Sequence, residues 1–198
     1  MNKAVVFDFY GVLFPNTYWA LADFYCPDMD KNIHKQLQDI IRSSDRGEIS
    51  QNDMWLEVIK IYGVSLDELM QKKGSFGGLD LNLLKYVTDL KGKGVKTGII
   101  SNAGSGFVEG ALANESYLEA FNSIIVSGDV GVVKPSHEIF MMSVEALSVQ
   151  AKDCLFFDDI QRNVDAAREF GMQAHLYEGL SDCKLVVQNF LDYTDTDK

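Results

Sequence analysis

Five polar side chains of this 198-residue chain fall just after short apolar runs: Asp8, Ser101, Lys134 and the adjacent pair Asp158-Asp159. They are far apart in the chain, yet they would converge if those runs lay side by side as strands. Three carboxylates gathered in one place repel one another, so a cation must sit among them. Carboxylate oxygens completed by water suit Mg2+, and Lys134 would add a second positive charge. With a phosphate dianion bound, the anionic groups sum to about −5 against about +3 from Mg2+ and Lys134. Without both cations such a site would expel phosphate, even at an effective dielectric near ~20. The Ser101 hydroxyl and the main-chain N–H of Asn102 can donate to phosphoryl oxygens. A carboxylate nucleophile, a metal and a lysine clamp are the parts of phosphoryl transfer.

The runs that must position these groups are Ala4-Val5-Val6-Phe7, Thr97-Gly98-Ile99-Ile100, Ser123-Ile124-Ile125-Val126 and Cys154-Leu155-Phe156-Phe157, with a weaker fifth at Ala174-His175-Leu176-Tyr177. They are apolar without alternation, the pattern of strands covered on both faces in a parallel sheet. Ligands of such sheets bind beyond the carboxyl ends of the strands, where these polar residues stand. Between the runs lie helical patterns. Asp80 reads as an N-cap before Leu84, Val87 and Leu90, with Gly92 and Gly94 as the stop. Pro135 reads as the opening of a helix whose face carries Ile139, Phe140, Val144 and Leu147, and Val164, Ala167 and Phe170 mark another that ends at Gly171. This alternation predicts the α/β class, a Rossmann-like parallel sheet with right-handed crossovers.

Residues 16–78 break the rhythm. They are aromatic and amphipathic and hold no strand-like run, which predicts a helical insert after the first strand, with Gly74-Ser75-Phe76-Gly77-Gly78 as the hinge back. The expected division is an α/β core over 1–15 and 79–198 and a helical cap over 16–78. The polar tail Asp192–Lys198 is expected to fray.

Composition sets the outer bounds. The 46% hydrophobic and 24% charged residues predict an ordered globular chain, and its length one domain, or one domain carrying an insert. Eighteen Lys and Arg against 29 Asp and Glu give a net charge of −11. Such a chain repels nucleic acid and anionic membranes at long range, so neither is an expected partner. Three scattered cysteines, Cys26, Cys154 and Cys183, argue against a disulfide framework or a zinc site, and His34, His137 and His175 share no metal or triad spacing. No apolar run reaches ~18 residues and the first residues are too polar for a signal peptide, so a cytoplasmic monomer or homodimer is expected.

Four segments carry a resemblance. Val6-Phe7-Asp8-Phe9-Tyr10-Gly11-Val12-Leu13-Phe14, Ile99-Ile100-Ser101-Asn102, Val130-Gly131-Val132-Val133-Lys134-Pro135 and Phe156-Phe157-Asp158-Asp159-Ile160-Gln161-Arg162-Asn163 resemble, in order, the four motifs of the haloacid dehalogenase-like (HAD) hydrolases. The ordered set covers essentially the whole chain. Residues 16–78 then resemble the type-1 cap of that family, and Arg46-Gly47-Glu48-Ile49-Ser50 resembles a cap element of its sugar-phosphatase-like branch. The resemblance implies Asp8 as nucleophile, and Mg2+ held by Asp8, the Tyr10 carbonyl and Asp159. It implies that Asp158 reaches the metal through water or orients Lys134, that Ser101 and Lys134 hold the phosphoryl group, and that Asn163 supports the fourth-motif loop.

One position departs from the pattern. Most phosphatases of the family carry a second Asp two residues after the nucleophile as general acid and base, and here Tyr10 stands there. Haloacid dehalogenases also have Tyr at that place but lack the paired acids of the fourth motif, which this chain keeps. The expectation is a Mg2+-dependent phosphatase of a small phosphorylated metabolite such as a sugar phosphate, turning over slowly because a lost general acid typically costs about 10²–10⁴-fold. The alternatives are a 2-haloacid dehalogenase and an inert relative that binds without turnover.

Each singled-out residue also has a plain structural reading. Ser101 can be a helix N-cap, Lys134 a surface lysine, Asp8 a strand-end carboxylate that caps the next turn, Asp158-Asp159 a solvated turn, and Tyr10 a packing residue. Trp19, Trp55 and Phe76 either face a substrate or form the core of the insert. Arg42, Arg46, Lys72 and Lys73 either bind an anion or are solvated.

Overall fold

The structure, a computed structural model, describes residues 2–114 and 117–193; the tail beyond Tyr193 lies outside the described residues. Five strands, β1 (Ala4–Phe7), β2 (Lys96–Ser101), β3 (Ser123–Val126), β4 (Cys154–Asp158) and β5 (Gln173–Leu176), form one parallel sheet in the order β3-β2-β1-β4-β5. The apolar runs form strands because both faces of the sheet are covered. Val5 and Phe7 of β1 enter one core with Ile99, Leu155 and Phe157, while Ala4 and Val6 enter a second core with Ile100, Cys154 and Phe156.

Helices α5 (Leu81–Gly92), α6 (Phe107–Asn114) and α10 (Leu180–Asp192) contribute to the first core. Helices α8 (His137–Leu147) and α9 (Gln161–Phe170) contribute to the second. Asp80 caps α5, its carboxylate accepting from the N–H groups of Asn82 and Leu83, and Gly171 ends α9 in the left-handed conformation. The helix expected to open at Pro135 begins instead at His137. Ser136 is its N-cap, accepting from the Glu138 N–H, and Pro135 sits in the loop behind a cis peptide bond.

Between β1 and α5 the chain forms four helices: α1 (Thr17–Tyr25), α2 (Lys31–Asp45), α3 (Gln51–Tyr62) and α4 (Leu66–Gly74). Each of the last three starts at a side-chain cap, at Asp30, Ser50 and Ser65, the last in a reciprocal capping box with Glu68. Leu21, Leu37, Met54, Val58 and Leu69 bury the apolar faces of these helices. Trp55 is buried against Tyr18, so it belongs to the packing of this segment.

Candidate active site

The order of the strands makes the site. From β1 the chain moves outward to β2 and β3 on one side, then returns to place β4 and β5 on the other. A crevice opens at such a reversal, beyond the carboxyl ends of the strands. Phe7 is in register with Phe157, and the Asp8 N–H donates to the Phe157 carbonyl at 2.8 Å, so Asp8 and Asp158 emerge side by side. Ser101 ends β2 on the other flank of β1. It is a strand residue, far from the start of α6 at Phe107, and so caps no helix.

Lys134 reaches this edge from the loop before α8. Its ammonium lies 2.7 Å from Oδ1 of Asp8 and 2.7 Å from Oδ2 of Asp158, and with 3% of its surface exposed it is no surface lysine. Asn102 fixes the loop: its side chain accepts from the Lys134 N–H at 2.8 Å and donates to the Lys134 carbonyl at 3.1 Å. Both oxygens of Asp158 are engaged, Oδ1 by the Ile160 N–H at 2.8 Å, Oδ2 by Lys134, and each by the Asn163 amide at 3.0 and 3.1 Å. Oδ1 of Asp8 accepts from the Phe9 N–H at 2.6 Å and pairs with Lys134. Oδ2 of Asp8 has no partner among the described residues.

Burial raises the Asp8 pKa well above the ordinary value; Lys134 offsets part of this and the neighbouring carboxylates add to it. Burial alone would lower the Lys134 pKa, but Asp8 and Asp158 together raise it, so the ammonium keeps its proton. Burial and Asp158 raise Asp159 as well. Three carboxyl groups thus crowd around one ammonium, which pairs with two of them.

The residues present fit a divalent metal. Ligand oxygens of Asp8, Asp158 and Asp159 lie within 4.8 Å of one another. Oδ1 of Asp159 is buried with no hydrogen-bond partner among the described residues. Asp159 also rests against the bare Cα of Gly11, where φ is +83° and a Cβ would fall 2.0 Å from Oδ2. A hard-oxygen donor set with one oxygen left unsatisfied is the chemistry that Mg2+ takes up. The Ser101 Oγ is likewise buried without a partner.

A cavity of about 140 Å³ opens above Asp8 and Lys134, with Tyr18, Trp19, Ile41 and Asp45 of the helical segment across from them. Tyr10 lines it too, but its ring stacks on Phe107 at 5.5 Å and packs against Phe9, Phe14 and Tyr18. The Tyr18 hydroxyl donates to that of Tyr10 at 3.2 Å, and burial raises the Tyr10 pKa well above its ordinary value. The phenol keeps its proton and cannot serve as a base.

Sequence reasoning missed Asp45, Asn16, Tyr18 and Ile41 as cavity residues. The one signal near them was Arg46-Gly47-Glu48-Ile49-Ser50, which begins right after Asp45. The basic residues singled out in the insert do not line the cavity. Lys72 lies over Phe24 and Phe76, and Lys73 over Phe14, Trp55 and Phe107. The cation that does line it, besides Lys134, is Arg162.

Comparison with known proteins places this arrangement among others. The family model described as haloacid dehalogenase-like hydrolase matches residues 2–171. The sesquiterpene phosphatase astK of Aspergillus oryzae is 27% identical, over 91% of this chain and 93% of its own. The D-ribitol-5-phosphate phosphatase of Bacteroides thetaiotaomicron is 25% identical, over 92% of this chain and 95% of its own. Among solved structures, the HAD family enzyme bt-2542 of Bacteroides thetaiotaomicron, in complex with magnesium and inorganic phosphate, superposes with a TM-score of 0.69 at 20% identity, covering 89% of this chain and 94% of that one. At that identity the likeness is one of fold. Among the described residues no helix is long and apolar enough to cross a membrane.

Proposed function

This chain belongs to the haloacid dehalogenase-like hydrolases, and from that membership we propose that it is a Mg2+-dependent phosphatase that hydrolyses a small phosphorylated metabolite through an aspartyl-phosphate on Asp8. The observation that carries the reading is the asymmetry of Asp8. One oxygen is pinned by the Phe9 N–H and Lys134, and the other has no partner among the described residues. A carboxylate held in this way presents a single oxygen, in fixed orientation, for attack on phosphorus.

The roles of the other residues extend this reading. Asp8, Asp159 and the main-chain carbonyl of Tyr10 would hold Mg2+, which when bound neutralises charge on the phosphoryl oxygens and on the carboxylates. Asp158 is a positioning residue, its oxygens occupied by Lys134, Ile160 and Asn163. Lys134 holds the phosphoryl group and offsets part of the burial cost of the Asp8 carboxylate, and the unpartnered Ser101 hydroxyl donates to a phosphoryl oxygen. The helices over 16–78 act as the cap. They confine the alcohol half of the substrate to a small space walled by Tyr18, Trp19 and Ile41 and exclude bulk water from the phospho-enzyme. A sugar phosphate suits this size, in keeping with the relative that acts on D-ribitol 5-phosphate.

The test is phosphate release from p-nitrophenyl phosphate and a panel of sugar phosphates, with Mg2+ and with chelator, in wild type and Asp8→Asn. Release that disappears with chelator and in the variant supports the phosphatase. Halide release from 2-chloropropionate that ignores chelator would instead establish a dehalogenase, and Mg2+ binding with no turnover of any ester would establish an inert binder.

A further inference from the structure

The reaction proposed above needs a proton for the leaving oxygen and a base for the attacking water. The position two residues after Asp8 supplies neither, because Tyr10 is locked in an aromatic cluster and bonded to Tyr18. Among the described residues, the carboxylate besides Asp8 that lines the cavity is Asp45, the last residue of α2. Two close approaches to the α/β core flank it and fix where it sits. Ser44 is buried, and its Oγ lies 2.8 Å from where a Cβ on Gly104 would be. At Gly47, with φ +71°, a Cβ would meet the Gly128 carbonyl oxygen at 2.3 Å. The end of α2 thus seats on the loop after β2 through the Ser44 side chain and, backbone against backbone, on the short helix α7 (Ser127–Val130), with Asp45 lining the cavity between these contacts. Its carboxylate makes no hydrogen bond or ion pair with any described residue, and Lys134 acts on it only through its charge.

We propose that Asp45, carried on the helical insert, is the general acid–base of the phosphatase reaction and replaces the group that Tyr10 does not provide. The inference rests on Asp8 being the nucleophile. In the first step Oδ2 of Asp8 bonds to phosphorus as the bond to the leaving oxygen breaks. The electron pair goes to that oxygen, which takes the proton of the Asp45 carboxyl. In the second step a water oxygen bonds to phosphorus, its proton passes to the Asp45 carboxylate, and the bond to Oδ2 breaks with its electron pair returning to Asp8. Each cycle restores both groups. The ionisable groups that line the cavity with Asp45 are Asp8, Tyr10, Tyr18, Lys134 and Arg162. Burial raises the Asp45 pKa to about 6, with Lys134 offsetting part of the rise, so both protonation states are accessible near neutrality.

The experiment uses the full chain with Mg2+ and two esters, p-nitrophenyl phosphate, whose leaving group departs without a proton, and phenyl phosphate, whose leaving group needs one. For Asp45→Asn, turnover of both esters is expected to fall about 10²–10⁴-fold. The nitrophenol burst persists, the phenol burst slows, and acid-quenched protein accumulates phosphate. Asp45→Glu, which keeps the carboxyl, should recover most of the turnover with a shifted pH profile, and it stands in if thermal melting shows Asp45→Asn to be unfolded. Turnover by Asp45→Asn within about threefold of wild type overturns the proposal, as do equal losses of burst and turnover for both esters, since a merely structural residue would give those. Failure of the underlying reading looks different: wild type would then show no burst that depends on Mg2+ and Asp8.

Discussion

The Cα of Gly11 is the floor on which Asp159 rests: a Cβ added there would fall 2.0 Å from Oδ2 and 2.3 Å from Cγ of Asp159. Its φ of +83° is also one that side chains with a Cβ rarely adopt. Gly11→Ala is therefore expected to push Asp159 off the carboxylate cluster and weaken Mg2+ binding about 10–100-fold, with the sheet intact. Calorimetric titration of Mg2+ into wild type and variant checks this, and equal affinities would sink the role given to Asp159.

Lys134 pairs with both Asp8 and Asp158. Lys134→Met leaves two buried carboxylates without it. In chelator at neutral pH the variant should lose about 3–5 kcal/mol of stability, measured by urea unfolding, and phosphatase activity with it. The penalty should shrink in acid, where the carboxylates are protonated. A variant as stable as wild type at neutral pH would show that the cluster is not held by charge.

Tyr10 packs more than it reacts. Tyr10→Phe keeps the stack on Phe107 and loses the bond from Tyr18, so activity within a few-fold of wild type is expected. Tyr10→Asp would place a carboxylate among Phe9, Phe14 and Phe107. The expectation is a loss of about 3 kcal/mol or more, rather than a better enzyme. Large loss of activity in Tyr10→Phe, with an unchanged melting temperature, would return a chemical role to the phenol.

Asp45 gives a stability signature of its own. Its folded-state pKa of about 6 lies above the ordinary 3.8, so the folded chain binds more protons between those values. Its favourable contribution is whole below about pH 4 and is lost as pH rises to about 6, by at most about 1.4 kcal/mol per unit and less with solvent screening. In chelator, wild type should therefore lose stability relative to Asp45→Asn over that interval. A difference that is flat with pH would contradict the burial of this carboxylate.

The sheet was readable because a strand buried on both faces must be a continuous apolar run. Ala4–Phe7 and Cys154–Asp158 are buried throughout in the structure, while Ser123–Val126, at the edge of the sheet, is half-buried up to Val126. The start of α8 was misread because Pro135 suits both a first helical turn and the loop before it, and only the Ser136 side chain, accepting from Glu138, settles where the helix begins. Ser101 was ambiguous for a similar reason, since a serine after an apolar run suits a cap as well as a strand end.

Taken alone, the sequence determined which chemical groups are available and that they stand at strand ends, because parallel strands force Asp8, Ser101 and Asp158 to one edge whatever the helices do. The tertiary structure decided which atoms of those groups are engaged. Lys134 and Asn163 occupy the oxygens of Asp158, one oxygen of Asp8 has no partner among the described residues, and the packing of Tyr10 against Phe107 keeps its phenol from acting as a base. It also brought in Asp45, 37 positions from Asp8. No strand register links the two residues, and their meeting at one cavity depends on how the end of α2 packs against Gly104 and Gly128. Local pattern carries no record of such long-range packing.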